Sequence, residues 1–136
     1  MAKKYFTLES AQEQIQKIKK SLIKLQNLQK SIDAILSVKI DPQAIEPYEF
    51  VDTNTKLNKE YHQLSYEFYL ELEKLGKIGC ILKDLDLGLV DFYFRFEDRD
   101  VFLCWKLGEN RIKAWHEIDS GYSGRQPIID LEDFQK

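Results

Sequence analysis

VDFYFRFEDRDVFLCWKLGENRIKAWHEI, residues 90–118, decides the fold. Its apolar side chains recur every second residue: Val90, Phe92, Phe94 and Phe96, then Val101, Leu103, Trp105 and Leu107, then Ile112, Ala114 and Ile118, with His116 filling the remaining place. A period of two belongs to a strand with one buried face. Polar breaks at Glu97–Asp100 and Gly108–Asn110 split the run into three strands. A fourth strand is expected just upstream, about residues 79–83, turning through Asp84-Leu85-Asp86-Leu87-Gly88. The expectation is a four-stranded antiparallel meander over about residues 78–118.

Face matching suggests a register. Setting Phe96 against Val101 puts Phe94 opposite Leu103 and Phe92 opposite Trp105. Reading Glu109-Asn110 as a two-residue turn puts Trp105 opposite Ala114, Leu103 opposite His116 and Val101 opposite Ile118. One face is then apolar except at His116 and should pack on helices, with Trp105 in its core. The other face would carry an aromatic patch of Tyr93, Phe102 and Trp115. The C-terminal segment 128–134 or a second subunit is expected to cover it, because large exposed apolar patches are unusual.

Upstream the period changes to that of a helix. Leu8, Ala11, Ile15, Ile18, Leu22, Leu25, Ile32 and Leu36 mark an amphipathic helix over residues 8–36, with Gln29 interrupting the seam and Leu28 beside it. Thr7 is placed to cap it. Leu57, Tyr61, Leu64, Phe68, Leu72 and Leu75 mark a second helix, about Asp52 to Leu75, with Gly76 as its C-cap. Pro42 and Pro47 in the connection, residues 37–51, are expected to belong to neither helix. The expected fold is α+β, one domain over residues 1–136: a long antiparallel helical hairpin, about 8–75, packed on the meander, then a C-terminal loop and tail, 119–136. Helix 1 largely follows a heptad and outreaches any strand of this sheet. A coiled-coil-like pairing of hairpins into a homodimer or higher oligomer is therefore expected.

Net charge is −3, yet residues 1–40 carry eight lysines against Glu9, Glu13 and Asp33. That basic helix is the sole hint of nucleic-acid binding. Residues 7–40 lack the aromatics and arginines that RNA readers use, so this partner is not expected. No apolar run reaches the ~20 residues of a membrane span, and the N-terminus lacks an apolar signal region, which points to the cytoplasm. Cys80 and Cys104, without a CxxC pair, read as reduced, buried thiols.

Chemistry concentrates in Trp115–Pro127. His116, Asp119, Tyr122 and Arg125 form the candidate ligand-binding set, suited to a small anion because glycine-rich backbone and a guanidinium both bind one. The competing reading pins Arg125 to an acid of its own fold: Asp84, Asp91 or Asp119. Asp84, Asp86 and His116 are a weaker metal set, since the Asp84–Gly88 segment matches only a fragment of a calcium loop. Glu117 and Asp119 share the wrong strand parity to converge with His116. No nucleophile elbow is present, no catalytic residue is assigned, and no cofactor is indicated.

Thr7-Leu8-Glu9, Lys83–Phe92, Leu103–Glu109 and Trp115–Pro127 occur in this order and together resemble an uncharacterised prokaryotic family catalogued as domain of unknown function 2203. The resemblance spans nearly the whole chain. Ser10 departs from it by standing where an acid would complete a capping box, so a less firm helix start is expected. The family brings no activity or site residues. The leading expectation is a non-catalytic, self-associating interaction protein. The alternative is a small-anion- or metal-binding protein or enzyme, with its site at the end of the last strand and the Gly-rich loop.

Overall fold

Alternation in the strands and helical spacing upstream produce helices followed by a five-stranded antiparallel sheet, an α+β fold. The computed structural model describes residues 3–129. The elements are α1 (Leu8–Gln12), α2 (Ile15–Leu36), α3 (Pro47–Ile78), β1 (Ile81–Asp84), β2 (Leu89–Phe96), β3 (Arg99–Lys106), β4 (Ala114–Glu117), a single 3-10 turn (Tyr122–Gly124) and β5 (Gln126–Pro127). The strands lie in chain order, β1-β2-β3-β4-β5. The short β5 is one strand more than the alternation predicts, because two residues are too few to show a period.

The first helix starts firmly. Thr7 Oγ1 accepts from the Ser10 amide at 3.0 Å, and Ser10 Oγ accepts from the Thr7 amide at 2.9 Å. Serine thus completes the capping box that an acid was expected to supply. A break at Glu13-Gln14 divides the predicted single helix into α1 and α2. Pro47 starts α3 at a position whose N–H would have no helical partner, so the proline helps rather than prevents the helix. Gly79, at φ 103°, closes α3 in place of Gly76. A lysine side chain crowds it: a Cβ there would lie 2.5 Å from Lys4 Cδ.

The β2–β3 register differs from expectation by two residues. Glu97 and Asp98 both have positive φ, 51° and 64°, and form a two-residue turn that pairs Phe96 with Arg99 and Phe94 with Val101. Such a turn matches strand twist, though each non-glycine residue there costs about 1–2 kcal/mol. Because the shift is even, both faces of β2 and β3 keep their members.

The β3–β4 register differs by one residue, and that exchanges the faces of β4. Val101 pairs with Glu117, Phe102 with His116, Leu103 with Trp115 and Cys104 with Ala114. The connection is longer than a two-residue turn. The Glu109 carboxylate accepts from the Lys106 amide at 2.7 Å, and the Ile112 amide donates to Gln12 Oε1 at 2.8 Å. Ile112 is buried from this loop, before the strand begins.

The core lies between one face of the sheet and the helices: Ile15, Ile18, Leu22 and Leu25 of α2 and Leu75 of α3 meet Val90, Phe92, Phe94, Val101, Leu103 and Trp105. Trp105 is buried as expected and donates from Nε1 to the Glu109 carbonyl at 3.1 Å. Trp115, expected in the aromatic patch, packs against this core. One polar pin joins the helices: Ser21 donates to Glu71 at 2.7 Å, and Lys24 pairs with the same buried acid at 3.3 Å. Among the described residues no helix is long and apolar enough to cross a membrane.

Candidate functional site

The exchange of faces on β4 moves His116 away from the helices. On the outer face, three adjacent strands each contribute one polar side chain: Asp91 from β2, Cys104 from β3 and His116 from β4. All three are buried. Asp91 pairs directly with Cys104, and His116 sits one row along, opposite Phe102, whose ring centroid lies 5.4 Å from the imidazole.

His116 Nε2 lies 3.1 Å from each Asp91 carboxylate oxygen, and Nδ1 lies 2.8 Å from the Glu117 carbonyl oxygen. A carbonyl oxygen only accepts, so Nδ1 must carry a proton. Nε2 faces a carboxyl group, so one further proton lies between ring and acid. Without it, a lone pair would face a buried, bare carboxylate, which is costly. The pair therefore holds a proton in the dry interior. Burial pushes the Asp91 carboxyl above its usual range, opposed by His116 and by hydrogen bonding from Cys104. Burial, reinforced by the charge of Asp91, pushes the Cys104 thiol up to about 12. Such a thiol is protonated and poorly nucleophilic, so the trio is not a cysteine-histidine nucleophile at neutral pH. Cys80 is buried and pushed up to about 11 by the same desolvation.

The other sequence candidates do not join this cluster. Arg125 Nη2 donates to both carboxylate oxygens of Glu109 at 2.9 and 3.0 Å, and to the Cys104 carbonyl at 3.4 Å. Its guanidinium stands 4.9 Å from the Tyr122 ring centroid, and Lys106 approaches the same ring at 5.5 Å. Arg125 thus pins its loop to an acid of its own fold, and that acid is Glu109 rather than Asp84, Asp91 or Asp119. Arg125 Nε is buried without a partner among the described residues. Asp119 is exposed. Asp84 accepts from the Leu87 amide at 3.0 Å, the ordinary work of a turn aspartate, and Asp86 is exposed beside it. Neither converges with His116. An open groove of about 810 Å³ lies between α1 and the C-terminal chain, lined by Leu8, Gln12, Ile112 and Ile128 among others, and none of the candidates lines it.

The patch of Tyr93 and Phe102, with rings 4.8 Å apart, has Tyr5 at 6.0 Å from Tyr93 and Lys83 at 4.8 Å above Phe102. The N-terminal segment lies alongside β2 there, with the Phe6 amide donating to the Tyr93 carbonyl at 2.8 Å. The expected cover, residues 128–134, lies outside the described residues from 130 onward. Sequence reading missed Asp91 and Cys104 as companions of His116, and Glu109 as the partner of Arg125. The missing signal was the length of the β3–β4 connection.

A family model described as an uncharacterized conserved protein, DUF2203, matches residues 4–128 of the chain. The protein belongs to that family. No curated protein and no solved structure matches it.

Proposed function

We propose that this protein is a non-catalytic interaction protein of the cytoplasm that self-associates through its helical hairpin. One observation carries the reading: only Glu71 and Leu75 of the 32-residue α3 are buried. At 1.5 Å per residue α3 is about 48 Å long, whereas the eight residues of β2 span about 26 Å. The sheet supports the start of α2 and the end of α3. Farther out, Leu28 and Ile32 of α2 are buried, whereas Leu57, Tyr61 and Leu64 of α3 stay half-buried.

A second set of large side chains lies elsewhere around α3. Val51 is 61% exposed, Tyr66 62%, Tyr69 66% and Leu70 49%. Two helices alone form a marginal bundle. A second hairpin would make a four-helix, coiled-coil-like arrangement and remove these side chains from water. The Ser21–Glu71–Lys24 pin, centred on the buried Glu71, fixes how α2 and α3 align, which a repeatable dimer surface needs. The outer-face cluster does not argue for catalysis, since its thiol is protonated and all three side chains are buried.

The test is a double substitution, Tyr66→Glu with Tyr69→Glu, followed by sedimentation and circular dichroism. The variant should keep its helicity and sediment as a monomer where the parent forms an oligomer. A parent and variant of the same mass would overturn the role of this face.

A further inference from the structure

We propose that Asp91, Cys104 and His116 form a binding site for one zinc-type divalent ion on the outer face of the sheet, separate from the helical surface. Their donor atoms, a carboxylate oxygen, a sulfur and an imidazole nitrogen, all lie within 4.8 Å of one another. Nitrogen, sulfur and oxygen donors together are the set zinc takes. Each donor comes from a different strand of one hydrogen-bonded sheet, so the backbone fixes their relative positions. Nδ1 of His116 donates to the Glu117 carbonyl, which aims Nε2 at Asp91. An outer hydrogen bond of this kind orients most metal-bound histidines.

Charge favours the same occupant. A divalent ion held by one carboxylate, one thiolate and a neutral imidazole makes a neutral unit, the form a buried site tolerates. On binding, the ion replaces the proton between His116 and Asp91 and the thiol proton, and both leave to solvent. Arg125, whose guanidinium reaches the Cys104 carbonyl, has its charge offset by Glu109. Donors around tetrahedral zinc stand about 3.3–3.7 Å apart, from bond lengths of about 2.0–2.3 Å. The His116–Asp91 separation of 3.1 Å must open slightly, and Cys104 must turn inward. Three protein donors leave one position of a tetrahedral ion open. Such an ion would staple three strands together.

The experiment uses the full chain, freed of metal by chelator and titrated with Co²⁺, then with Zn²⁺. Co²⁺ should saturate at one per chain, with a thiolate-to-metal band in the near ultraviolet and strong visible bands of tetrahedral cobalt, and Zn²⁺ should bleach both. Cys80→Ala should keep the bands. Cys104→Ser should lose the thiolate band with an unchanged circular dichroism spectrum. Asp91→Asn, a second near-isosteric variant, should weaken Co²⁺ binding at least tenfold. A parent chain that shows no thiolate band with excess Co²⁺ overturns the site, whatever the variants do. Bands that follow Cys80 instead of Cys104 overturn it equally.

Discussion

Replacing Asp91 with alanine tests how the outer face is built. Asp91 is 1% exposed and His116 3%, so neither can turn to water when its partner is lost. In Asp91→Ala the Nε2 atom faces a void, the Cys104 thiol loses its acceptor, and a small cavity opens. Breaking a buried ionic pair in this way costs about 3–5 kcal/mol. Asp91→Asn is different. Its amide N–H can donate to an unprotonated Nε2, and its oxygen can accept from Cys104. The hydrogen-bond inventory stays closed without a charge, and the cost should fall to about 1 kcal/mol. Glu117→Ala removes the Arg99 pair at 2.7 Å, but both groups are solvent-accessible, so that midpoint should hardly move. The assay is urea unfolding of chelator-treated protein, so that no metal contributes. For a chain of this length 4 kcal/mol corresponds to a melting shift of about 12–20 °C. An Asp91→Ala midpoint no lower than that of Glu117→Ala would refute the buried-pair argument, as would Asn behaving as badly as Ala.

Trp105→Ala should lose about 3–5 kcal/mol, since the ring is buried in the core; a thermal melt that barely moves would contradict that place. Arg125→Ala should cost about 1 kcal/mol by freeing Glu109 and the 119–125 loop, while millimolar sulfate should leave the parent melt unchanged; an anion-dependent rise in the parent that vanishes in the variant would instead restore the anion reading. For Glu71, burial pushes the carboxyl up, but bonding from Ser21 and Lys24 outweighs this, so its folded value lies below the ordinary one. The unfolded chain then takes up that proton first, so the contribution is present above the ordinary glutamate range and disappears as pH falls below it. Glu71→Gln should flatten the acid side of the stability profile, from about pH 5 downward, and an unchanged slope would contradict the pin.

The helices and strands were legible because burial imposes periods of 3.6 and 2 directly on the sequence. Trp105 was legible for the same reason. The turns were not. Glu97-Asp98 has no glycine or asparagine, yet both residues adopt left-handed φ. At β3–β4 the side-chain bonds of Glu109 hold a longer loop than Glu109-Asn110 suggests as a hairpin turn. That single residue of register decided the site, because it put His116 beside Asp91 instead of against the helices. An aspartate between Val90 and Phe92 reads as a solvent-facing residue when its neighbours across the sheet are unknown. Its burial becomes sensible only once the imidazole lies within hydrogen-bonding distance. Arg125 carried a legible alternative, pinning to an acid, but the acid lies in the misread loop.

Self-association through the hairpin is the central claim, and molar mass in solution tests it most directly. Light scattering on the eluting protein at tens of micromolar should give about twice the 16.1 kDa of the chain, or a higher multiple, with melting temperature rising with concentration. A mass of one chain, unchanged across that concentration range, would contradict it.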